Sequence, residues 1–371
     1  MSVVNLNFSK SGKTKVNHSR QPKLVAYLLQ RSNEMESEGR WGTARNYMKT
    51  ARSLNTFIEQ SPLEKNGKAT DPRLGKLDSY LLLKYQHWLF TRGVKRNTVS
   101  FYMRVIRAAF NHAMRYGKIT GHNGDIYWQW SDLTCSCLSG KGRVSNHISN
   151  SRNLFSQIYT GIDKTSKRAV REETIYKLSK LDLRHSRPLQ LTRDLFIFSY
   201  CARGISFIDL VFLKKSNISN GILSYSRRKT GQRLTIAIEP CMQRILDKYM
   251  QAHKKKEGVV PTATMAREYI FPIITAIDEK EAYRQYQTAL GYYNRKLKQL
   301  SGLMGGDIKL SSYSARHSWA TTARDHNIPI SVISAGMGHT SERTTQIYLQ
   351  QLEGSIIDKA NRNLLRRLNF K

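Results

Sequence analysis

The sequence predicts a mainly α-helical protein with one small β-sheet, in which a helical domain precedes an α+β domain. From residue 23 to 118, apolar residues recur at helical spacing, as they do along the buried face of a helix. Further along, ILSYS and LTIAI alternate in polarity on either side of RRKTGQR, the pattern of two strands joined by a glycine-containing turn. A chain of 371 residues with 40% hydrophobic residues is long enough for two or three domains, each with its own core.

The predicted domain boundaries follow changes in residue pattern. Residues 1–22 contain lysines and an arginine but no acidic residue, and we expect this basic arm to lie along phosphates; an unstructured leader without a role is the alternative. The helical domain occupies 23–118. In 119–169, clusters of Gly, Asn and Ser break the periodicity, which indicates a linker or insert. The α+β domain occupies 170–371.

Three helices are predicted in the helical domain. The first follows Thr43 and the third begins at Asn97, both of which are residue types that cap helix N-termini. The second spans Asp78 to Phe90. The predicted buried stripes are Tyr47, Ala51, Leu54 and Ile58 on the first helix and Tyr102, Ile106, Ala109 and Ala113 on the third.

Both striped helices carry cations at a helical repeat on another face. A basic helix face is commonly only solvated surface, but two in one small domain favour a bundle that grips nucleic acid. The candidate DNA-binding residues of this domain are Arg45, Lys49, Arg52, Arg104 and Arg107.

In the α+β domain, helices are predicted around the two strands. They lie near 191–202, 241–252, 280–300, 311–324, 330–336 and 341–350, and an amphipathic helix at 354–369 ends the chain.

The charge of the chain indicates a polyanionic partner. There are 61 Lys and Arg residues against 27 Asp and Glu, a formal net charge of +34. So large a charge repels itself, which favours a protein that is neutralised by nucleic acid. A ribosomal or chromatin-like binder would show the same balance, so the charge predicts the partner and leaves the chemistry open.

The cysteines and the hydropathy pattern exclude other classes of protein. Cys135, Cys137, Cys201 and Cys241 are too few for a disulfide framework and lack zinc-finger spacing. The start of the chain has no signal-like apolar core, and no segment reaches the length of about 18 apolar residues that a membrane span needs. We therefore expect a soluble, reduced, cytoplasmic protein without a membrane or metal partner.

Residue types suited to phosphoryl transfer through a tyrosine occur in order in the second half of the chain. A phenol is a weak nucleophile near neutral pH because its pKa is about 10, and the attacked phosphate needs stabilisation by positive charge. The candidates are Arg203 in YCARGISFIDL, Lys229 in RRKTGQR, Arg316 in SSYSARHSWATTA, and His339 and Tyr348 in GMGHTSERTTQIYLQQL. This constellation predicts that the protein breaks and rejoins DNA with no metal ion or other cofactor.

These motifs resemble those of the tyrosine recombinase (phage integrase) family. GMGHTSERTTQIYLQ is the most specific of them; residues 170–371 resemble the family's catalytic domain and 23–118 its core-binding domain. The resemblance implies that Tyr348 attacks the scissile phosphate and forms a 3′-phosphotyrosine ester. It implies that Lys229 protonates the 5′-oxygen leaving group, and that His339 donates to a non-bridging oxygen or helps to deprotonate the tyrosine. The guanidinium fork of Arg316 would hold two phosphate oxygens.

Two positions depart from the family's pattern. Tyr313 occupies the place of the first histidine in His-x-x-Arg, where a phenol either donates a hydrogen bond or simply packs. Aligning Asp209 with the acid of Arg-x-x-Glu-Leu puts Ser206 where the first arginine belongs. We expect Arg203 to reach the phosphate from one helical turn earlier and Asp209 to orient neighbouring cations. An ion pair between Arg203 and Asp209, or a capped carbonyl, is the structural alternative.

The resemblance also implies partners. It implies double-stranded DNA and a homotetramer on two DNA sites that works through a Holliday junction, for integration and excision or for inversion. Accessory DNA-bending proteins are compatible with such an assembly. Arg227 and Arg228 would bind phosphate beside Lys229. Two alternatives stay open: a catalytically silent DNA-binding protein on the same scaffold, and a type IB topoisomerase, against which the small size and the segment beyond Tyr348 argue.

Overall fold

The computed structural model describes residues 21–60, 71–116, 154–163, 168–254, 268–305, 308–339, 341–342 and 345–346. The chain divides into two compact units, Met1–Thr165 and Ser166–Lys371. The basic arm before residue 21, residues 117–153 and 164–167, and the terminal helix predicted at 354–369 lie outside the described residues. So does most of the helix predicted near 341–350, including Tyr348.

The first unit is built from four helices, as far as the structure describes it. They are α1 (Leu24–Ser37), α2 (Trp41–Gln60), α3 (Ser79–Thr91) and α4 (Arg96–Arg115). The apolar stripe predicted on α2 is buried, and on α4 Ile106, Ala109 and Ala113 are buried while Tyr102 is partly buried. These stripes pack with α1 and α3 into one core, which is the physical reason that the helical periodicity was readable in the sequence.

Both predicted helix caps are wrong, and the second helix has a cap that was not predicted. Asp78 caps α3 and accepts a hydrogen bond from the Leu81 backbone at 2.8 Å. Thr43 lies inside the first turn of α2, and Asn97 is the second residue of α4. The Asn97 side chain instead bonds the backbone N and O of Asp163, at 2.7 and 3.0 Å, so a tertiary contact has taken the group that local pattern assigned to a cap.

The segment 154–163, which the sequence placed in the linker, packs on the first unit. Phe155 and Ile158 are buried in the helical core. From α4, Arg107 donates to the Phe155 carbonyl at 3.5 Å and to Thr160 at 3.2 Å, and its guanidinium lies 4.9 Å from the Phe155 ring centroid. Side chains of α4 therefore hold this segment against the bundle.

The second unit surrounds a small sheet with helices. Its described helices are α5 (Glu172–Lys180), α6 (Arg187–Cys201), α7 (Phe207–Val211), α8 (Pro240–Lys254), α9 (Glu279–Leu303), α10 (Ser314–Asp325) and α11 (Ile330–Met337), and its strands are β1 (Ile218–Ser219), β2 (Ile222–Ser226) and β3 (Arg233–Ala237). The sheet is antiparallel in the order β1-β2-β3, with Tyr225 opposite Leu234. The predicted hairpin is thus confirmed, and the helices predicted near 191–202, 241–252, 280–300, 311–324 and 330–336 are present with shifted ends.

Helix α6 is the centre of the second unit. It packs against α5, α7, α8, α9 and α10, and Leu195, Phe196 and Phe198 on it are buried. Its one buried carboxylate, Asp194, accepts from Lys248 at 2.6 Å and from Tyr249 at 2.9 Å. Because a buried charge is tolerated only when it is paired and hydrogen-bonded, Asp194 ties α6 firmly to α8.

None of the helices in the described ranges is long and apolar enough to cross a membrane.

Candidate active site

Arg316 is a buried cation in the first turns of α10. Its side chain is among the least exposed charged groups of the unit, with 4% of the residue accessible. Nη1 donates to the Gly204 carbonyl at 2.7 Å, and Nη2 donates to the Met337 carbonyl at 2.8 Å and lies 2.8 Å from His339 Nε2. The guanidinium is therefore fixed between the turn after α6 and the end of α11.

Gly204 makes the close approach of that turn to α10. Its φ is +71°, a left-handed conformation that glycine adopts without cost. A Cβ at this position would lie 2.7 Å from the Cα of Arg316. A residue with a side chain would therefore have to displace the backbone of α10.

Arg203 reaches the same neighbourhood by a different route from the one predicted. It is not on a helix: α6 ends at Cys201, and Arg203 has a φ of +57°, which is uncommon for a residue with a side chain. The left-handed turn directs it toward α11, where its Cδ lies 3.7 Å from the place that a Cβ on Gly336 would take. The prediction that Arg203 lies on a helix one turn before Ser206 is wrong, although the adjacent Gly204 contacts Arg316.

Asp209 is buried on α7 and braces the hairpin. Its carboxylate accepts from the Ser206 hydroxyl at 2.7 Å and from the backbone N of Arg228 at 2.8 Å. Ser206, which stands where the family has arginine, is the N-cap of α7. Asp209 thus fixes the start of the β2–β3 turn by accepting a hydrogen bond from the backbone of Arg228. The sequence did not indicate this hydrogen bond.

The β2–β3 turn carries three cations. Arg227 donates to the Gly338 carbonyl at the end of α11, so the base of the turn is anchored. The guanidinium of Arg228 lies 4.0 Å from the Phe212 ring centroid, a cation–π contact. Lys229 is exposed at the tip of the turn, where its ammonium can reach a ligand.

His339 follows a left-handed glycine that ends α11. Gly338 has a φ of +64°, and a Cβ on it would lie 2.9 Å from Arg227 Cδ. The imidazole is held on both sides, since Nε2 faces Arg316 and Nδ1 lies 2.8 Å from the Thr345 hydroxyl. Burial and the charges of Arg316, Arg227 and Lys229 lower the pKa of His339 to about 4, so the ring is neutral at neutral pH.

Tyr313 precedes the first residue of α10 and is half exposed. The guanidinium of Arg168 lies 5.6 Å from its ring centroid. The next histidine, His317, is partly buried; burial, Arg168 and Arg316 lower its pKa to about 4. A phenol with a guanidinium beside it therefore stands at the sequence position where the family's pattern has a histidine.

The described side chains thus bring together a dense group of cations around one imidazole. Desolvation raises the pKa of the buried Tyr225 of β2, and Asp209 adds to this, whereas Arg316, Arg227 and Arg203 oppose it. These four ionised groups therefore lie within electrostatic reach of one phenol. Such a group of cations can bind a phosphate diester and stabilise charge that develops on it.

Gly204, Arg168 and Thr345 belong to this site but were not among the predicted residues. Gly204 and Thr345 lie within two of the motifs quoted above, but a glycine, a threonine and a surface arginine such as Arg168 have many ordinary roles, so their residue types indicate no particular chemistry. The signal in the sequence for a tight turn was Gly204, which stands directly before ISFIDL.

The DNA-binding candidates of the first unit divide into two groups. Arg45, Lys49 and Arg52 on α2 and Arg104 on α4 are exposed. Arg107 is partly buried against segment 154–163, and its Nε is buried with no hydrogen-bond partner within the described ranges.

Two family models match the chain. The phage integrase SAM-like domain matches residues 23–123, and the phage integrase family matches residues 173–354. Together the matches span more than half of the 371 residues. No sequence among the curated proteins matches.

Solved structures share the fold at low sequence identity. XerH site-specific recombinase bound to a palindromic difH substrate, in a post-cleavage complex, is 14% identical with a TM-score of 0.58, over 90% of this chain and 83% of that one. The Tn1549 transposon integrase in complex with transposon right end DNA is 11% identical with a TM-score of 0.54, over 94% and 100%. A lambda integrase tetramer bound to a Holliday junction is 15% identical with a TM-score of 0.52, over 88% and 77%.

The two matched regions coincide with a helical unit and with the unit that assembles the cations around His339, and the chain belongs to the phage integrase family of tyrosine site-specific recombinases.

Proposed function

We propose that this protein cleaves and rejoins double-stranded DNA at specific sites through a 3′-phosphotyrosine ester on Tyr348. The observation that carries the proposal is the buried guanidinium of Arg316, held by two carbonyls beside a neutral His339. A buried, rigid cation next to exposed ones is suited to a phosphate that gains charge in the transition state.

The proposed first step is an in-line displacement at phosphorus. The Tyr348 hydroxyl loses its proton to His339 or to water while its oxygen forms a bond to phosphorus. The bond to the 5′-oxygen breaks, and Lys229 supplies the proton that the leaving oxygen needs. Arg316 and Arg203 hold the non-bridging oxygens. Because the ester conserves the energy of the phosphodiester, a 5′-hydroxyl of another strand can attack it in reverse, and no cofactor is consumed.

The proposed assembly is a homotetramer on two DNA sites that passes through a Holliday junction. The support is the shared fold with a lambda integrase tetramer bound to such a junction, and with XerH and Tn1549 integrase bound to DNA. The exposed cations of α2 and α4 would bind the phosphate backbone. We assign the reaction to integration and excision or inversion of DNA, in the cytoplasm, with accessory DNA-bending proteins as admissible partners.

The direct test is covalent trapping on a nicked substrate, from which the cleaved end diffuses away. We expect the unsubstituted protein to form a protein–DNA ester, and Tyr348→Phe to bind the same site without forming it. An ester formed by Tyr348→Phe would refute the nucleophile. Absence of an ester with every substrate that the protein binds would leave a silent DNA-binding protein, and relaxation of supercoiled DNA without a specific site would indicate a topoisomerase.

A further inference from the structure

We propose that Arg168 is a further phosphate-binding residue of the active site, and that the ring of Tyr313 positions its guanidinium to bind the same DNA phosphate as Arg316. This inference rests on the proposed function, since it takes the scissile phosphate as the ligand. It also selects one of the two roles that the sequence left open for Tyr313, because the phenol then acts through the packing of its ring.

Arg168 is tethered to the start of α10 although it lies outside that helix. Two residues further along the chain, the backbone N of Val170 donates to the Ser318 hydroxyl at 2.9 Å, and Ser318 is fully buried. The guanidinium of Arg168 lies 5.6 Å from the ring centroid of Tyr313, within the range of a cation–π contact. Tyr313 directly precedes α10 and is three residues before Arg316. Arg168 is therefore held at the end of α10 that contains Arg316.

A neighbouring imidazole lies in the field of both guanidinium groups. The pKa of His317 is lowered to about 4, first by burial and then by the charges of Arg168 and Arg316. The interaction of two charges weakens with distance and is screened by salt, so both cations lie close to this ring. A phosphate that approaches Arg316 therefore also enters the field of Arg168.

The charge of Arg168 is available to a ligand. The residue is exposed, and among the described side chains no carboxylate forms an ion pair with it. A guanidinium can stack on an aromatic ring and still present its fork of N–H donors to phosphate oxygens. Stacking on the half-exposed Tyr313 also restricts the long side chain in advance, so less conformational entropy is lost when the phosphate binds.

Arg171 provides a matched comparison for an ordinary surface cation. It is exposed, lies three residues after Arg168, and precedes the first residue of α5 without a side-chain capping hydrogen bond. Arg171→Ala and Arg168→Ala therefore remove the same charge from the same short segment. Only Arg168→Ala removes a guanidinium that is stacked beside the start of α10.

The test is single-turnover cleavage of nicked DNA by the full-length protein, with all of the DNA bound. Two substrates are compared, one with an ordinary scissile phosphodiester and one with a methylphosphonate at that position. The methylphosphonate carries no negative charge, so it gains less from an additional cation. Thermal unfolding of each variant is measured alongside the rates.

We expect Arg168→Ala to cleave the ordinary substrate about tenfold to a hundredfold more slowly than the unsubstituted protein, the range that a hydrogen bond to a charged group contributes. On the methylphosphonate the difference should shrink to about threefold or less. Arg171→Ala should cleave both substrates at the unsubstituted rate, and both variants should melt with the unsubstituted protein.

Three results would overturn the inference. An equal loss on both substrates would mean that Arg168 binds a different phosphate, and an equal loss in Arg171→Ala would mean that only the overall charge matters. A lower melting temperature in Arg168→Ala alone would mean that the residue acts on the fold. If the unsubstituted protein forms no ester with any substrate, the proposed function itself is wrong; if the ester forms and Arg168→Ala cleaves normally, only the role of Arg168 is wrong.

The positioning role of Tyr313 is tested by combining substitutions. If its ring positions Arg168, the losses caused by Arg168→Ala and Tyr313→Ala are not additive, and the double variant is little slower than the slower single variant. Tyr313→Phe keeps the ring and should retain the full effect of Arg168→Ala. Additive losses would show that the two residues act independently, which contradicts the proposed positioning.

Discussion

At the scale of single residues, the site depends on one glycine. Gly204 and Gly221 share a φ of +71°, so alanine has the same backbone cost at both positions, about 1–2 kcal/mol. Only at Gly204 does the added Cβ meet another backbone, that of Arg316, whereas nothing lies within 4 Å at Gly221.

We therefore predict that Gly204→Ala loses about a further 1–3 kcal/mol of stability through overpacking, and that its cleavage rate falls by about 10²-fold or more because Arg316 is displaced. Gly221→Ala should lose only the backbone cost and should cleave DNA normally. The measurements are thermal unfolding and covalent trapping; equal behaviour of the two variants would contradict the close approach of Gly204 to α10.

The residues that gather around Arg316 were easier to predict as candidates than their conformations were. Arg316, His339 and Lys229 could be named from their motifs because each of their chemical groups has few substitutes in phosphoryl transfer. The conformation of Arg203 could not, because a left-handed φ on a residue with a side chain is imposed by tertiary contacts rather than by local preference. Thr345 was unpredictable for a related reason: a threonine in a sequence does not show which side chain its hydroxyl will contact, here His339.

At the scale of elements, the β2–β3 turn is held by Asp209 through the backbone of Arg228. We predict that Asp209→Ala lets the tip of the turn drift and slows cleavage because Lys229 no longer reaches the leaving oxygen. A substrate whose bridging 5′-oxygen is sulfur leaves without a proton, so it should rescue both Asp209→Ala and Lys229→Ala. Asp182→Ala, which removes an exposed carboxylate, is the control. Failure of the sulfur substrate to rescue would mean that Asp209 acts elsewhere.

Helix α4 offers a second comparison within one element. Arg104 is exposed, whereas Arg107 is partly buried and burial lowers its pKa. We predict that Arg104→Ala weakens DNA binding and reduces the salt dependence by about one counterion with little change in melting temperature. Arg107→Ala should lower the melting temperature, because segment 154–163 loses its anchor and its packing on the aromatic ring. The reverse pattern would show that Arg107 is mainly a DNA contact.

Helices with a one-sided apolar stripe were predictable because burial of that stripe is what stabilises them. The five-residue α7 and the two-residue β1 are too short to show a period. Tertiary contacts stabilise them, since α7 packs against α6 and α9 and β1 pairs with β2. Asn97 shows the other limit: its residue type favours a cap, but segment 154–163 supplies a partner that the local sequence does not contain.

At the scale of the whole molecule, the net charge of +34 makes DNA binding strongly dependent on salt.

Assembly is a separate property, which we assign to residues 355–371, outside the described part of the chain. This segment has apolar residues at helical spacing with arginines between them. We predict that deleting it preserves binding of one protomer to DNA and abolishes paired-site complexes on native gels. If circular dichroism instead shows that the truncated protein is unfolded, the segment belongs to the core of its own domain and the assembly role is wrong.

The hydrogen bonds that Arg316 donates to two backbone carbonyls also affect the free energy of DNA binding. A free arginine side chain loses roughly 2 kcal/mol of rotamer entropy when it is immobilised. Here the carbonyls of Gly204 and Met337 already immobilise the side chain. The entropy is therefore lost when the protein folds, and it does not weaken DNA binding. The same rigidity narrows the positions in which a phosphate can be held, and a misaligned strand should therefore bind nearly as well as a correct one and yet fail to react.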